Sequence, residues 1–205
     1  MAAAAADWQK AANELSEQRR LAALELGRRS GEKLADLGMI RAGLSVIVKP
    51  RAGSAPAAHG QDEVEFRFSA NPGQTPQPLH KVASGGELSR VSLALMISAR
   101  SQAERPARVF DEVDAGIGGE TAHVVGSFLR EAAAGGQAFC VTHLAQVAAR
   151  ADHHFRVIKS ERAGKTAIRV EQLDRAAREE ELARMLGNRQ SAGSLAHARE
   201  MLDAV

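Results

Sequence analysis

The spacing of apolar and polar residues predicts a long helix at the start of the chain. Residues 7–37 are rich in Ala, Leu, Glu, Arg and Gln and contain no Pro, which favours a helix over this range. The heptad seam is weak, because Gln18 and Glu25 occupy positions where a coiled coil needs apolar side chains. We therefore expect either the base of a coiled-coil arm or an amphipathic helix that lies on a domain.

Two strands are expected after this helix. Residues 44–49 are mostly apolar and are followed by Pro50, and residues 63–68 alternate between polar and apolar with a period of two. The segment from Pro50 to Gly60 is rich in Gly, Ala and Pro, which is typical of an exposed loop. Residues 71–78 are expected to form a second loop.

From residue 84 onward, helical and strand patterns alternate, which predicts a parallel sheet covered by helices. In chain order, the expected elements are a helix around Leu88 to Leu95, a strand at Val109-Phe110, a helix around Val124 to Leu129, a strand at residues 138–141, a hairpin of residues 153–159 and 166–173, and helices at residues 179–186 and 191–202. The expected fold class is α/β. We expect a helical arm over residues 1–42 and a sheet-containing domain over residues 43–205.

Composition narrows the classes of function. Apolar residues make up 44% of the chain and charged residues 25%, as in ordinary globular proteins. Aromatic residues make up only 3%, so no stacking platform for single-stranded nucleic acid is predicted, and a net charge of +2 neither requires nor excludes DNA. No apolar stretch reaches the ~20 residues of a membrane span. Together with a single cysteine, Cys140, this predicts a cytoplasmic protein without a membrane partner.

The first candidate site is a predicted helix start that carries two adjacent glycines. Ser84 and Glu87 have the spacing of a capping box, and a purely structural cap explains these two residues. It does not explain Gly85 and Gly86, which cost helix stability and allow a backbone to approach a ligand closely. Because free N–H groups at a helix start attract anions, we expect a phosphate there.

The second candidate site is an acidic pair, Asp111 and Glu112, directly after the apolar strand Val109-Phe110. Such pairs are often only solvated, but this one falls at the carboxyl edge of a predicted parallel sheet, where ligands bind. Asp111 is expected to hold Mg²⁺, directly or through water. Glu112 is expected to orient or deprotonate the attacking water in phosphoryl transfer.

The third candidate residue is His143, which follows the predicted strand at residues 138–141. A histidine taken alone at this position would more often be structural. At the same sheet edge as Asp111 and Glu112, it is expected to reach the γ-phosphate of a nucleotide and to sense its loss.

The three segments in this order resemble one family. ASGGELSR from Ala83, VFDEVDAGIGG from Val109 and CVTHLAQVAARADHHF from Cys140 are similar to the RecN family of bacterial DNA repair proteins, which are SMC-like ABC-type ATPases. The resemblance covers most of the chain. It implies the fold of the C-terminal part of an ABC/SMC-type P-loop NTPase head, with ATP and Mg²⁺ as cofactors. It also implies a nucleoid-associated function in DNA double-strand break repair and recombination.

The resemblance assigns roles to individual residues. It identifies a signature motif, which contacts ATP held by the opposing head of a homodimer, in Ser84, Gly85, Gly86 and Glu87. It makes Asp111 the Walker B ligand of Mg²⁺ and Glu112 and His143 the catalytic residues. It places Asp114 in the D-loop, which lines the dimer interface.

One family element is missing from the sequence, because no G-x-x-x-x-G-K-[ST] P-loop occurs. Gly164-Lys165-Thr166 copies its last residues, but Lys159 stands where the first glycine is required, and a hairpin turn is expected instead. The family carries its P-loop in an N-terminal segment. We therefore expect the N-terminal half of the same protein to be a partner, and this chain alone to hydrolyse little or no ATP.

Two other functions remain open from the sequence. The ATPase subunit of a membrane transporter has the same three motifs, although the charged first helix and the hairpin after His153 speak against it. A non-catalytic dimerisation module of the same fold would explain the missing P-loop. DNA is expected as a partner by resemblance. The basic residues of the first helix either contact its phosphates or form a solvated face; they are Arg19, Arg20, Arg28, Arg29 and Lys33.

Overall fold

The computed structural model describes residues 2–51, 56–82, 84–99, 107–162, 165–188 and 191–204. Ala83, at the start of the signature segment, and the expected turn at residues 163–164 lie outside the described residues. The chain divides into two compact units, unit 1 over residues 1–102 and unit 2 over residues 103–205.

Unit 1 contains a long helix, a small antiparallel sheet and a second helix. Its elements are α1 (Ala2–Asp36), β1 (Gly43–Pro50), β2 (Asp62–Ser69), β3 (Gln77–Pro78), a short 3-10 turn (Leu79–Lys81) and α2 (Gly85–Ala99). The strands are ordered β1-β2-β3, with both pairs antiparallel. The helix and the two strands predicted for this region are confirmed.

Helix α1 packs on β1 and α2 through small residues. Its buried positions are Ala12, Ser16, Ala23, Ser30 and Leu34. A Cβ on Gly27 would come within 3.3 Å of the Leu44 carbonyl oxygen, so glycine permits close approach of the helix to β1. The helix therefore lies on the sheet along much of its length. The division into an arm of residues 1–42 and a head of residues 43–205 stays a prediction.

A buried carboxylate fastens α1 to the start of β2. Asp62 is 5% exposed, and its two oxygens accept hydrogen bonds from Ser16 Oγ at 2.8 and 2.9 Å. Arg19 Nη1 lies 3.0 Å from Asp62 Oδ2, and Arg19 Nη2 donates to the carbonyl oxygen of His59. Burial opposes ionisation of Asp62, but the hydrogen bonds from Ser16 and Arg19 outweigh it and lower its pKa.

Unit 2 contains a βαβ unit, an antiparallel hairpin and three further helices. Its elements are β4 (Ala107–Phe110), α3 (Gly119–Ala133), β5 (Gln137–Cys140), α4 (Ala145–Ala149), β6 (His154–Arg162), β7 (Lys165–Leu173), α5 (Arg175–Met185) and α6 (Ala192–Asp203). Strands β4 and β5 are parallel, and β6 and β7 are antiparallel. The predicted alternation of strands and helices is confirmed.

The hairpin of β6 and β7 contains the residues that resemble the end of a P-loop. Arg162 pairs with Lys165 in the register of β6 and β7, so Lys165 begins an antiparallel strand and does not precede a helix. Gly164 lies outside the described residues. The prediction that this segment belongs to a hairpin is confirmed for Lys165 and Thr166, which lie in β7. Among the described residues, no helix has the length and apolar character needed to cross a membrane.

The Asp62 contact predicts a pH-dependent contribution to stability. Because folding lowers the pKa of Asp62, its stabilising effect is present above the unfolded carboxyl pKa of about 3.9 and is lost as the pH falls through the lower folded value. Asp62→Asn should lower the free energy of unfolding by ~2 kcal/mol at pH 7. The loss should shrink on acidification in urea titrations. Asp36→Asn, at the exposed end of α1, should change stability by less than about 0.5 kcal/mol.

Candidate functional site

The parallel pairing of β4 and β5 brings the acidic pair and the histidine to one edge of the sheet. Phe110 pairs with Cys140, and the Val141 N–H donates to the Phe110 carbonyl oxygen at 3.0 Å. Asp111 therefore leaves β4 at the level where Val141 leaves β5. His143 follows two residues later, so it lies at the same carboxyl edge as the acids, as the sequence predicts.

The backbone turns sharply at the acidic pair. Glu112 has a φ of 56°, and among the described residues it is the one non-glycine residue with a positive φ. Its N–H donates to Asp111 Oδ1 at 3.0 Å, which supports the turn. Both side chains are exposed. A left-handed conformation in a residue other than glycine costs about 1 kcal/mol or more and is often found at functional sites.

Asp114 joins the loop after β4 to the loop after β5. The residue is 3% exposed, and its Oδ2 accepts a hydrogen bond from Thr142 Oγ1 at 2.5 Å and another from the His143 N–H at 3.1 Å. His143 Nδ1 lies 3.2 Å from the same oxygen, while the His143 side chain is 72% exposed. Thr142 Oγ1 in turn accepts from the Leu144 N–H. The imidazole is thus tethered on one side and open to solvent on the other.

Thr142 is the residue of this cluster that sequence reasoning missed. The sequence feature that could have identified Thr142 is its position directly before the candidate histidine. Asp114 was singled out by resemblance only, as part of the dimer interface. That role stays a prediction, and the Asp114 side chain itself is buried against residues 142 and 143.

Cys140 ends β5 beside these carboxylates. Its side chain is half-buried. Burial, followed by the charges of Asp114 and Asp111, raises the pKa of the thiol to about 12. The thiol therefore stays protonated at neutral pH and is a poor nucleophile.

The signature segment lies at the start of α2 in unit 1. The Ser84 carbonyl oxygen accepts from the Leu88 N–H at 3.0 Å, and Ser84 Oγ lies 3.4 Å from the Glu87 N–H. Ser84 therefore caps the helix through its hydroxyl, which is the serine half of the expected capping box. Ser84 and Gly85 are exposed and Gly86 is buried, so the helix start is open to a ligand at its first residues.

The described residues contain no group of three or more His, Cys, Asp or Glu side chains arranged to hold a metal ion. Mg²⁺ in nucleotide sites is commonly bound by one or two carboxylates with water and phosphate oxygens completing the shell. Exposed Asp111 fits that limited role, because its carboxylate stands at the sheet edge and is open to solvent.

Several basic residues of α1 are engaged in ion pairs within the chain. Arg28 pairs with Glu25 and Glu32, at 2.8 and 2.6 Å. Arg20 pairs with Glu17, and Arg19 is held by buried Asp62. These contacts favour the solvated helix face over a dedicated DNA-phosphate patch.

Comparison with known proteins identifies the relatives of this chain. No family model matches it. It is 46% identical over 180 residues to the DNA repair protein RecN of Xylella fastidiosa strain Temecula1, covering 88% of this chain and 32% of that protein. It is 48% identical over 169 residues to RecN of Deinococcus radiodurans, covering 82% and 29% of the two chains. The chain is a relative of RecN.

The match falls in the C-terminal part of the RecN proteins and confirms the resemblance found in the sequence. RecN of Vibrio cholerae shows the same relation, with 44% identity over 95% of this chain and 35% of its own length. The chain thus spans about a third of the length of these relatives.

The fold is similar to that of an Smc head. The Smc head domain with a coiled coil and joint from Pyrococcus yayanosii matches with a TM-score of 0.55 and 22% identity, covering 82% of this chain and 30% of that chain. This similarity, together with the parallel sheet and the long first helix, confirms the predicted fold class.

The state of Cys140 can be tested by alkylation, because it is the sole cysteine. With a thiol pKa of about 12, the folded protein should react with iodoacetamide at pH 8 roughly 1,000-fold more slowly than the urea-unfolded chain. Mass spectrometry follows the reaction. Asp114→Asn removes one of the charges that raise the pKa and should speed alkylation, whereas Glu161→Gln, in exposed β6, should leave it unchanged. Equal rates in the folded and unfolded protein would contradict the assignment.

Proposed function

We propose that this chain is the C-terminal part of a RecN-type, SMC-like ATPase head that acts in DNA double-strand break repair and recombination. The observation that carries the proposal is the shared sheet edge, where exposed Asp111 and Glu112 stand with exposed His143. The relatives named DNA repair protein RecN support the biological setting. On this proposal the protein works in the cytoplasm at the nucleoid, with DNA as a partner.

In the proposed reaction, the sheet edge acts on the γ-phosphate of ATP. Glu112 orients or deprotonates the attacking water, and His143 donates a hydrogen bond to the phosphate. Asp111 holds Mg²⁺, which neutralises charge on the phosphates when bound. The geometry supports these roles. The two acidic side chains are exposed, and Asp114 contacts both the ring and the backbone N–H of His143.

We propose that the signature motif of each head contacts the ATP held by the opposing head. Ser84, Gly85, Gly86 and Glu87 open α2 in unit 1, and the exposed start of this helix can meet the phosphates of ATP bound by the opposing copy. The functional unit on this proposal is a homodimer with ATP between its heads.

The P-loop is proposed to come from the N-terminal half of the same protein. The parallel pair β4 and β5 has one face covered by α3, where Arg108 donates to the Ala132 carbonyl oxygen. On the other face, Val109 and Phe139 are paired neighbours that are 72% and 49% exposed. Parallel sheets are normally covered on both faces, and we propose that the N-terminal half covers this one.

The hydrolytic role is tested in the complex of this chain with the N-terminal half. Glu112→Gln should lower ATP turnover by about 100-fold or more while ATP binding is retained, because the amide cannot accept a proton from water. Glu120→Gln, an exposed glutamate at the start of α3, is the matched control and should leave turnover unchanged. Normal turnover in Glu112→Gln would remove Glu112 from the reaction. A complex that never hydrolyses ATP would favour the non-catalytic dimerisation module.

The docking face is tested by association of the same two halves. Val109→Thr with Phe139→Ser should cost the isolated chain little stability, because both side chains are exposed. The pair should weaken binding to the N-terminal half at least about tenfold, since their burial is lost. Val64→Thr, 44% exposed on β2, is the control. Calorimetry measures the dissociation constants, and equal affinities would contradict the proposed face.

A further inference from the structure

We propose that Asp114 is a positioning residue that holds His143 in the tautomer with the proton on Nδ1, so that Nε2 is the nitrogen offered to a ligand. The inference rests on the proposed function for the use of Nε2. The tautomer itself is a property of this chain and can be measured without nucleotide.

Three groups converge on one carboxylate oxygen. Asp114 Oδ2 is the shared partner of the Thr142 hydroxyl at 2.5 Å, the His143 N–H at 3.1 Å and His143 Nδ1 at 3.2 Å. Two of these contacts belong to the same residue. Attachment through both the backbone and the ring fixes where the imidazole stands relative to the sheet edge.

The donors around Asp114 Oδ2 determine the direction of its hydrogen bonds. The His143 backbone N–H can only donate, so Asp114 Oδ2 acts as an acceptor. Thr142 Oγ1 accepts from the Leu144 N–H at 3.0 Å, which leaves its own proton directed to Asp114. An oxygen that already accepts from two donors carries no proton. Nδ1 lies 3.2 Å from this same unprotonated oxygen, and a proton on Nδ1 makes that contact attractive, whereas a lone pair on Nδ1 would be repelled by the carboxylate.

A proton on Nδ1 determines the state of the other ring nitrogen. In a neutral imidazole one nitrogen donates and the other accepts, and the contact made by one nitrogen determines the state of the other. With its proton on Nδ1, neutral His143 has an unprotonated Nε2 on a side chain that is 72% exposed. That nitrogen can take a proton and then donate to an incoming anionic oxygen, while Nδ1 stays bound to Asp114.

The burial of Asp114 makes it suited to this task. At 3% exposure, its carboxylate has little access to water, so its protein partners are the main source of hydrogen bonds. An exposed carboxylate would rotate and exchange partners with solvent. The buried one holds its orientation and passes it to the ring, which is the behaviour expected of a group that orients a functional histidine.

The test reads the tautomer directly in the full 205-residue chain. Long-range ¹H–¹⁵N correlation spectra at about pH 8.5, well above the ordinary histidine pKa of about 6.5, distinguish the two neutral forms. His143→Gln identifies the His143 signals by their loss. We expect the Nδ1–H form in the unaltered protein. A predominantly Nε2–H ring would overturn the proposal.

Substitutions separate Asp114 from its neighbour. Asp114→Ala removes the acceptor, so His143 should move toward the Nε2–H form, while Thr142→Val keeps the acceptor and should keep the Nδ1–H form. Amide spectra of the same samples report whether each variant is folded. If Asp114→Ala does not fold, the tautomer measured in the unaltered protein decides whether the proposal holds. An unchanged tautomer in folded Asp114→Ala would overturn the proposal.

Activity links the tautomer to the proposed reaction. In the complex with the N-terminal half, Asp114→Ala should lower kcat for ATP by roughly tenfold or more with a smaller change in KM. An unchanged kcat would overturn the positioning role. Normal turnover in Glu112→Gln would instead count against the proposed hydrolytic function. The tautomer of His143 is measured without nucleotide, so that result would not change it.

Discussion

The parallel pairing of two short strands is the interaction on which the candidate site depends. Strands β4 and β5 have four residues each, and the bond from the Val141 N–H to the Phe110 carbonyl oxygen extends their pairing past the strand ends. Without this pairing, the loops that carry Glu112 and His143 would not begin at the same edge of the sheet. Helix α3 makes the crossover between the strands, and its contact with β5 fixes the covered face of the pair. The position of the chemical groups thus follows from backbone pairing, and their orientation follows from side chains.

Orientation at this edge is obtained at a local energetic cost. Glu112 adopts a left-handed backbone conformation, and Asp114 gives up hydration for a buried position. Both costs are offset locally, by the bond from the Glu112 N–H to Asp111 Oδ1 and by the donors that converge on Asp114 Oδ2. The same principle operates in unit 1, where buried Asp62 is satisfied by Ser16 and Arg19. In each unit a buried carboxylate joins segments that are distant in sequence.

The sequence predicts the elements and the shared edge, but it does not predict these buried carboxylates. Apolar periodicity locates β4 and β5, and an acidic pair or a histidine after such a strand can be assigned to its carboxyl end without coordinates. Periodicity treats Asp62 and Asp114 as surface positions, because a charged residue counts as polar whatever its partners are. Their burial depends on Ser16 and Thr142, which approach only after folding. The comparisons add the similarity to RecN and to the fold of an Smc head, but they do not add the direction of a hydrogen bond.

On the proposed function, the sheet edge and the P-loop lie in different parts of the protein, and the exposed sheet face of unit 2 is consistent with this division. Val109 and Phe139 leave one face of the parallel strand pair exposed to solvent, whereas parallel sheets are normally covered on both faces. The Asp114 cluster, in contrast, draws all of its described contacts from residues of unit 2. The histidine can therefore be positioned before any nucleotide or second half is present. On the proposed function, association with the N-terminal half would bring a phosphate-binding loop to an edge whose side chains are already oriented. The energy of binding would then not have to offset the cost of ordering that edge.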